Sequence, residues 1–193
     1  YFDRGEWRWL LASAIFSDVS YKKEEHFNFL KELYPSIELE TLSSSVPGVN
    51  ARKISSAMIY YAEDLKYVYE LVKKRNLDKI NQVYEVIEEE VEKAFNDFSE
   101  MDDYHEEKRI HFFEIKSKFG ITSFVASSLS KMKPEDVFIF YRLKDGCYRI
   151  SARNHNVSKN MGRLMRDVLS EFEEASGGGH KAAAGGLILE KDF

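Results

Sequence analysis

Apolar side chains recur at every third or fourth position through most of the first hundred residues, and that spacing predicts amphipathic helices. Leu10, Leu11, Ala14 and Ile15 form one such stripe, and Phe27, Leu30 and Leu33 form the next, which Pro35 ends. "SSSVPGVN" (43–50) reads as a loop, with Pro47-Gly48 as its turn and Asn50 capping a helix over 51–75 that carries Ile54, Met58, Tyr61, Leu65, Val68 and Leu71. A longer stripe starts near Asp78 and runs through Ile80, Val83, Ile87, Val91, Ala94, Phe95 and Phe98 to Met101. Its outer face is the acidic "EVIEEEVEK", and the rod would be roughly 35 Å long, the kind of element that joins two lobes.

After "MDDYHEEK" the period changes from 3.6 to 2. "RIHFFEIK" (109–116), "VFIFYRLK" (137–144) and "CYRISAR" (147–153) read as strands, the last two joined by an Asp145-Gly146 hairpin turn. "GITSFVASSLSKM" reads as a helix between the first two strands. A second helix carries Met161, Leu164, Met165, Val168, Leu169 and Phe172. The glycine run "SGGGHKAAAGG" (176–186) then leads into an Ala-rich helical turn and a final strand at "GLILE". This β-α-β-β-α-β order predicts a small α/β domain with helices packed on a mixed sheet. The expected division is a helical part over 1–76, a connector helix over 77–107 and the α/β domain over 108–193.

Composition sets the class: 193 residues with 44% hydrophobic and 32% charged side chains describe a globular chain with a real core. One cysteine, Cys147, excludes an internal disulfide, and no secretory or membrane-spanning run is seen, so a reducing, cytoplasmic setting is expected. The opening "YFDRGEWRWLLASAIFSD" enters an apolar helix at once and reads as a chain cut inside a domain. The net charge of −5 is unevenly spread. Residues 109–193 hold 14 Lys and Arg against 10 Asp and Glu, a net +4, which leaves −9 for residues 1–108. The C-terminal part therefore suits an anionic ligand.

The candidate site is the glycine run, which holds five of the ten glycines. Gly177, Gly178 and Gly179 could point consecutive N–H groups into one concavity, with a helix starting directly after them adding its positive end, and His180 and Lys181 reinforcing the hold on a phosphate. Arg153 supplies a forked donor near a strand end, and Ser151, two residues earlier, shares its face. His26, His105, His111 and His155 lack paired metal-ligand spacing. Phe2, Trp7 and Trp9 read as an apolar cluster without assigned function.

The arrangement "FGITSFVASSLS", then "YRISARNHN", then a helix, then "SGGGHKAAAGG" resembles the C-terminal substrate-binding domain of the DHH phosphoesterase family, whose members include RecJ exonucleases. The resemblance implies that the Ser-x-Arg and glycine-histidine motifs, here Ser151, Arg153, Gly177, Gly178, Gly179, His180 and, beside them, Lys181, contact substrate phosphates. "LLASAIFSDVS" resembles the last metal-binding motif of the family's catalytic domain, which would make 1–76 the helical remnant of that domain and Asp18 a ligand. The implied cofactor is manganese or magnesium, bound mainly by residues upstream; the paired-aspartate and Asp-His-His signatures are not in this sequence. The expected activity of the intact protein is hydrolysis of phosphodiester bonds in single-stranded DNA or RNA or short oligonucleotides, with the 193 residues alone nearly inactive and no membrane involved. Two alternatives stand beside it: a non-catalytic RecJ-like replication scaffold that binds the GINS complex, and a phosphoesterase for oligoribonucleotides or cyclic dinucleotides. Alanyl-tRNA synthetases carry a related domain in which the histidine is generally not found, so His180 points away from that version.

Overall fold

The computed structural model describes residues 5–101 and 103–193, so Phe2 lies outside the described residues. The chain divides into two compact units, one ending at Ile87 and the other running from Glu88 to Phe193.

The first unit is helical: α1 (Arg8–Ser17), α2 (Glu24–Leu33), α3 (Val46–Tyr60), α4 (Leu65–Lys73) and the start of α5 (Leu77–Met101). Three of the sequence expectations are corrected here, the first being Asn50, which lies inside α3 and does not cap it. Pro47 and Gly48 make no turn; they occupy the first turn of α3, where a proline loses nothing because its missing N–H would have no helical partner. The helix expected over 51–75 is two helices, because Asp64 turns aside and its side chain accepts from the Tyr67 N–H, capping α4. One cluster of this unit gathers Ala57, Val68, Leu71, Val72, Ile80 and Val83 with Trp9 against it; a second gathers Ala12, Ile15, Leu30, Ile37 and Leu42. Trp9 thus belongs to the core. α4 is followed by Arg75 in the left-handed conformation, and the Asn76 side chain accepts from Lys79 N–H at the start of α5.

The second unit holds the rest of α5 and six strands in the order β1-β2-β3-β4-β6-β5: β1 (Asp103–His105), β2 (Ile110–Glu114), β3 (Val137–Lys144), β4 (Cys147–Arg153), β5 (Ser176–Gly179) and β6 (Ala183–Leu189). β2 and β3 are parallel and the other pairs antiparallel, giving the mixed sheet that was expected. α6 (Thr122–Met132) crosses over between β2 and β3, as a parallel pair requires, and α7 (Met161–Leu169) connects β4 to β5.

The sheet has two buried faces. Ala152, Ala184, Ile188 and Val137 meet Met161, Met165 and Leu169 of α7. Phe138 and Phe140, both fully buried, meet Phe98 of α5 at ring-centroid distances of 6.2 and 5.4 Å on the other face, which α6 also covers. Each such phenylalanine contributes on the order of 1.5–3 kcal/mol by leaving water. On the same face His111, buried and stacked 4.6 Å over Phe138, points Nε2 at Asp136 Oδ2 (3.2 Å), and Arg109 Nε donates to Asp136 Oδ1 at 2.8 Å. Burial works to raise the Asp136 carboxyl, but the bonds from Arg109 and His111 outweigh it and hold the group below its ordinary range. His111 is therefore a satisfied core histidine.

Candidate phosphate-binding site

The glycine run folds differently from its sequence reading. Ser176–Gly179 is strand β5, and the alanines begin strand β6, so the helical turn expected after the glycines is absent. Three alanines between flanking glycines cannot nucleate a helix, since each glycine costs about 1 kcal/mol against alanine there and a first turn is unfavourable in any case. The strand pairing of β6 with β4 satisfies the same backbone groups instead. His180 and Lys181 sit exposed in the turn between β5 and β6, with His180 N–H donating to Ala183 O at 2.8 Å. Their carbonyls accept from Gly162 N–H and Met161 N–H, both at 3.0 Å, so this turn closes the N-terminus of α7.

The glycines divide their work. Gly177 and Gly186 face α7, where an added Cβ on either would collide with Leu169 Cδ1. Gly179 has φ +148°, and its Cβ would lie 2.5 Å from Ala183 O and 2.6 Å from the Cα of Ala184. Gly178, Gly179 and Gly185 present bare backbone to a cavity of about 450 Å³ on the opposite face, beyond the edge of α6.

Side chains from three elements surround that floor. Strand alternation puts Arg149, Ser151 and Arg153 of β4 on the α6 face, and the register of β3 puts Arg142 directly opposite Arg149. Thr122 and Ser123 come from the first turn of α6, which has no side-chain cap, so its unpaired N–H groups and positive dipole end open on the cavity. The dipole that the sequence reading sought after the glycines is thus present, but α6 supplies it. No described lining residue is acidic.

Arg153 is half-buried and held by neutral groups. Nε donates to Ser127 Oγ at 2.9 Å, Nη2 to Ser123 Oγ at 2.5 Å, and Nη1 to the carbonyls of Ala152 (2.8 Å) and Ala184 (3.1 Å). Burial pushes its pKa below the ordinary arginine value, and among the described residues no carboxylate pairs with it. An arginine remains charged regardless, so this cation is braced and left without a counter-ion. Ser151 Oγ and Thr122 Oγ1 are buried in the same lining and lack a hydrogen-bond partner. A phosphate has the oxygens such a set requires.

The structure brings Ser151, Arg153, Gly178 and Gly179 into one cavity; Gly177, His180 and Lys181 are not among its lining residues. The sequence reading missed Thr122, Ser123, Arg142, Arg149 and Gly185. Arg149 was one further step of period 2 from Ser151, whereas Arg142 required the strand register.

Residues 108–192 match the family model of the DHHA1 domain. Several solved structures resemble the chain, among them the three described next. The DHH domain of a member of a family of ribosomal proteins aligns with 96% of this chain at 15% identity and a TM-score of 0.60. The chain spans 46% of that structure's length, and the likeness is one of fold. The alignment with the pGpG-specific phosphodiesterase PggH of Vibrio cholerae covers 58% of this chain and 38% of that one, at 14% identity and a TM-score of 0.40. With the C-Ala domain of Aquifex aeolicus alanyl-tRNA synthetase the shares are 43% and 76%, at 17% identity and a TM-score of 0.36. No curated protein matches the chain. The DHHA1 match takes in the whole cavity, from Gly120 to Gly185.

Asp18 lies in the other unit, exposed just after α1, and shares a small cavity with His26 and Ser20. Among the described residues no three His, Cys, Asp or Glu side chains converge as a metal site needs. Asp18 alone does not hold manganese or magnesium, which take about six oxygen ligands. No helix among the described residues is long and apolar enough to cross a membrane.

Proposed function

We propose that the chain is the C-terminal part of a RecJ-like phosphoesterase of the DHH family, and that its DHHA1 region binds the phosphates and terminal nucleotide of single-stranded nucleic acid or short oligonucleotides. The observation that carries this reading is Arg153: a half-buried guanidinium braced by two serines and two carbonyls, unpaired by any described carboxylate, beside the orphaned Ser151 hydroxyl and a floor without side chains.

The binding chemistry follows from these groups. Arg153, fixed before the ligand arrives, meets a phosphate oxygen with its remaining donor and loses little side-chain entropy in doing so. Ser151, Thr122 and the α6 N-terminus add donors, and the glycine floor lets the phosphate approach the main chain. Such a grip orients a phosphodiester and supplies no attacking group. The nucleophile and any divalent ion belong, on this reading, to residues beyond these 193.

Titration of a 5′-phosphorylated single-stranded oligonucleotide against the parent, Arg153→Lys and Arg153→Ala tests it. Charge-assisted bonds of this kind contribute about 1.5–3 kcal/mol, so Arg153→Ala should bind roughly 10- to 150-fold more weakly, with Arg153→Lys in between. Equal affinity across the three folded proteins refutes the assignment.

A further inference from the structure

α5 and α6 both cover the Phe138–Phe140 face of the sheet, and between them opens a groove of about 590 Å³. Phe95, Phe98 and Ser99 of α5 form one wall, and Leu129, Met132 and Lys133 at the end of α6 form the other. Phe98 and Leu129 are buried and Phe95 is half-buried, whereas Met132 is 75% exposed, the most of any large apolar side chain among the described residues. An unbranched methionine fills irregular gaps well, so one patch carries both an apolar knob and an apolar hollow. The rims of the groove differ in charge. Glu88, Glu92, Phe95 and Ser99 succeed one another at steps of four, three and four residues, which extends the α5 wall with acids. Lys131 and Lys133 stand exposed at the α6 wall, and Glu135 beyond them is taken by Asn156 Nδ2 at 2.6 Å.

A surface with a knob beside a hollow and an acidic edge opposite a basic one is complementary to itself about a twofold axis. A partner of one charge sign would meet like charge along one wall. We propose that a second copy of this chain docks in the groove. Met132 of each copy enters the hollow of the other, and Lys133 of each faces Glu92 of the other. Met132 and Ser123 are nine positions apart on α6, about two and a half turns, so they lie on opposite sides of the helix and docking leaves the cavity of Arg153 open. The pairing is thus independent of what that cavity binds. A patch confined to two helix walls is small beside the roughly 800 Å² per partner of standard interfaces, so the expected dissociation constant is on the order of 10 μM.

Sedimentation velocity of the full chain, run from well below to well above that concentration, should show the mass rising from one copy to two. Met132→Glu should weaken the association by about 10-fold or more, and because the side chain is exposed it should unfold at the parent's temperature. Lys133→Glu and Glu92→Lys should each weaken it alone, since each sets like charges against one another at both ends of the interface. Mixed in equal amounts, those two variants should pair with each other about as tightly as the parent pairs with itself. A merely structural role for either residue gives no such rescue. A chain that stays single at every concentration overturns the proposal, as does a dimer that Met132→Glu leaves unchanged. Failure of the mixed charge variants to pair overturns the twofold arrangement.

Discussion

Gly185 separates the function of the cavity from its fold. It sits on β6 between Ser151 of β4 and Gly178 of β5, facing the cavity. A Cβ built there lies 3.5 Å from Ile150 O, an ordinary contact, and its backbone is in no left-handed region. Gly185→Val therefore meets no obstacle at Cβ, and replacing glycine by a β-branched residue in a strand should leave stability unchanged or raise it by about 0.5–1 kcal/mol. The same side chain stands on the floor of a cavity of about 450 Å³ and keeps a phosphate off the main chain. Losing one charge-assisted bond costs about 1.5–3 kcal/mol, so affinity for a 5′-phosphorylated oligonucleotide should fall roughly 10- to 150-fold, with Gly185→Ala intermediate. Calorimetric titration measures the first quantity and thermal unfolding the second. A Gly185→Val protein that melts at or above the parent's temperature and binds as tightly would show that nothing rests on this floor.

The remaining predictions concern the Arg109–Asp136–His111 cluster. Asp136→Asn removes the ionic acceptor of Arg109 and leaves the buried His111 with a weaker partner, which should cost about 1–3 kcal/mol, seen as a fall of roughly 2–10 °C in unfolding temperature. Because the folded carboxyl is held below its ordinary value, its stabilisation is complete above the unfolded pKa, near about 3.9, and disappears as pH falls through the lower folded value. The parent and Asp136→Asn stability curves should therefore converge below about pH 4 and separate above it; parallel curves would contradict the pairing.

Local patterns were legible where one force decides the conformation. Strands β3 and β4 follow their alternation to the residue, and the Asp145-Gly146 turn between them has the two positive φ angles, 54° and 72°, that the dipeptide announces. The break between α3 and α4 was not legible, because no glycine or proline marks it and the capping Asp64 resembles any surface acid. The alanine run misled because helix propensity is a weak prior, overridden here by pairing with β4 and by the close approach of glycines to Leu169. Of the site, Ser151 and Arg153 were legible by their spacing on one strand. Ser123 lies 30 residues before Arg153 and meets it only because α6 lies over the sheet, while Arg142 enters through the β3–β4 register. Neither relation is visible until the sheet is assembled. His111 and Asp136 likewise lie 25 residues apart and meet through the parallel pairing of β2 with β3.

The most direct measurement is a crystal structure of the chain with 5′-phosphorylated dithymidine. A phosphate oxygen within about 2.7–3.1 Å of the Arg153 guanidinium and the Ser151 hydroxyl, above Gly178 and Gly185, is the predicted result. A bound dinucleotide whose phosphates all lie away from Arg153 would contradict it.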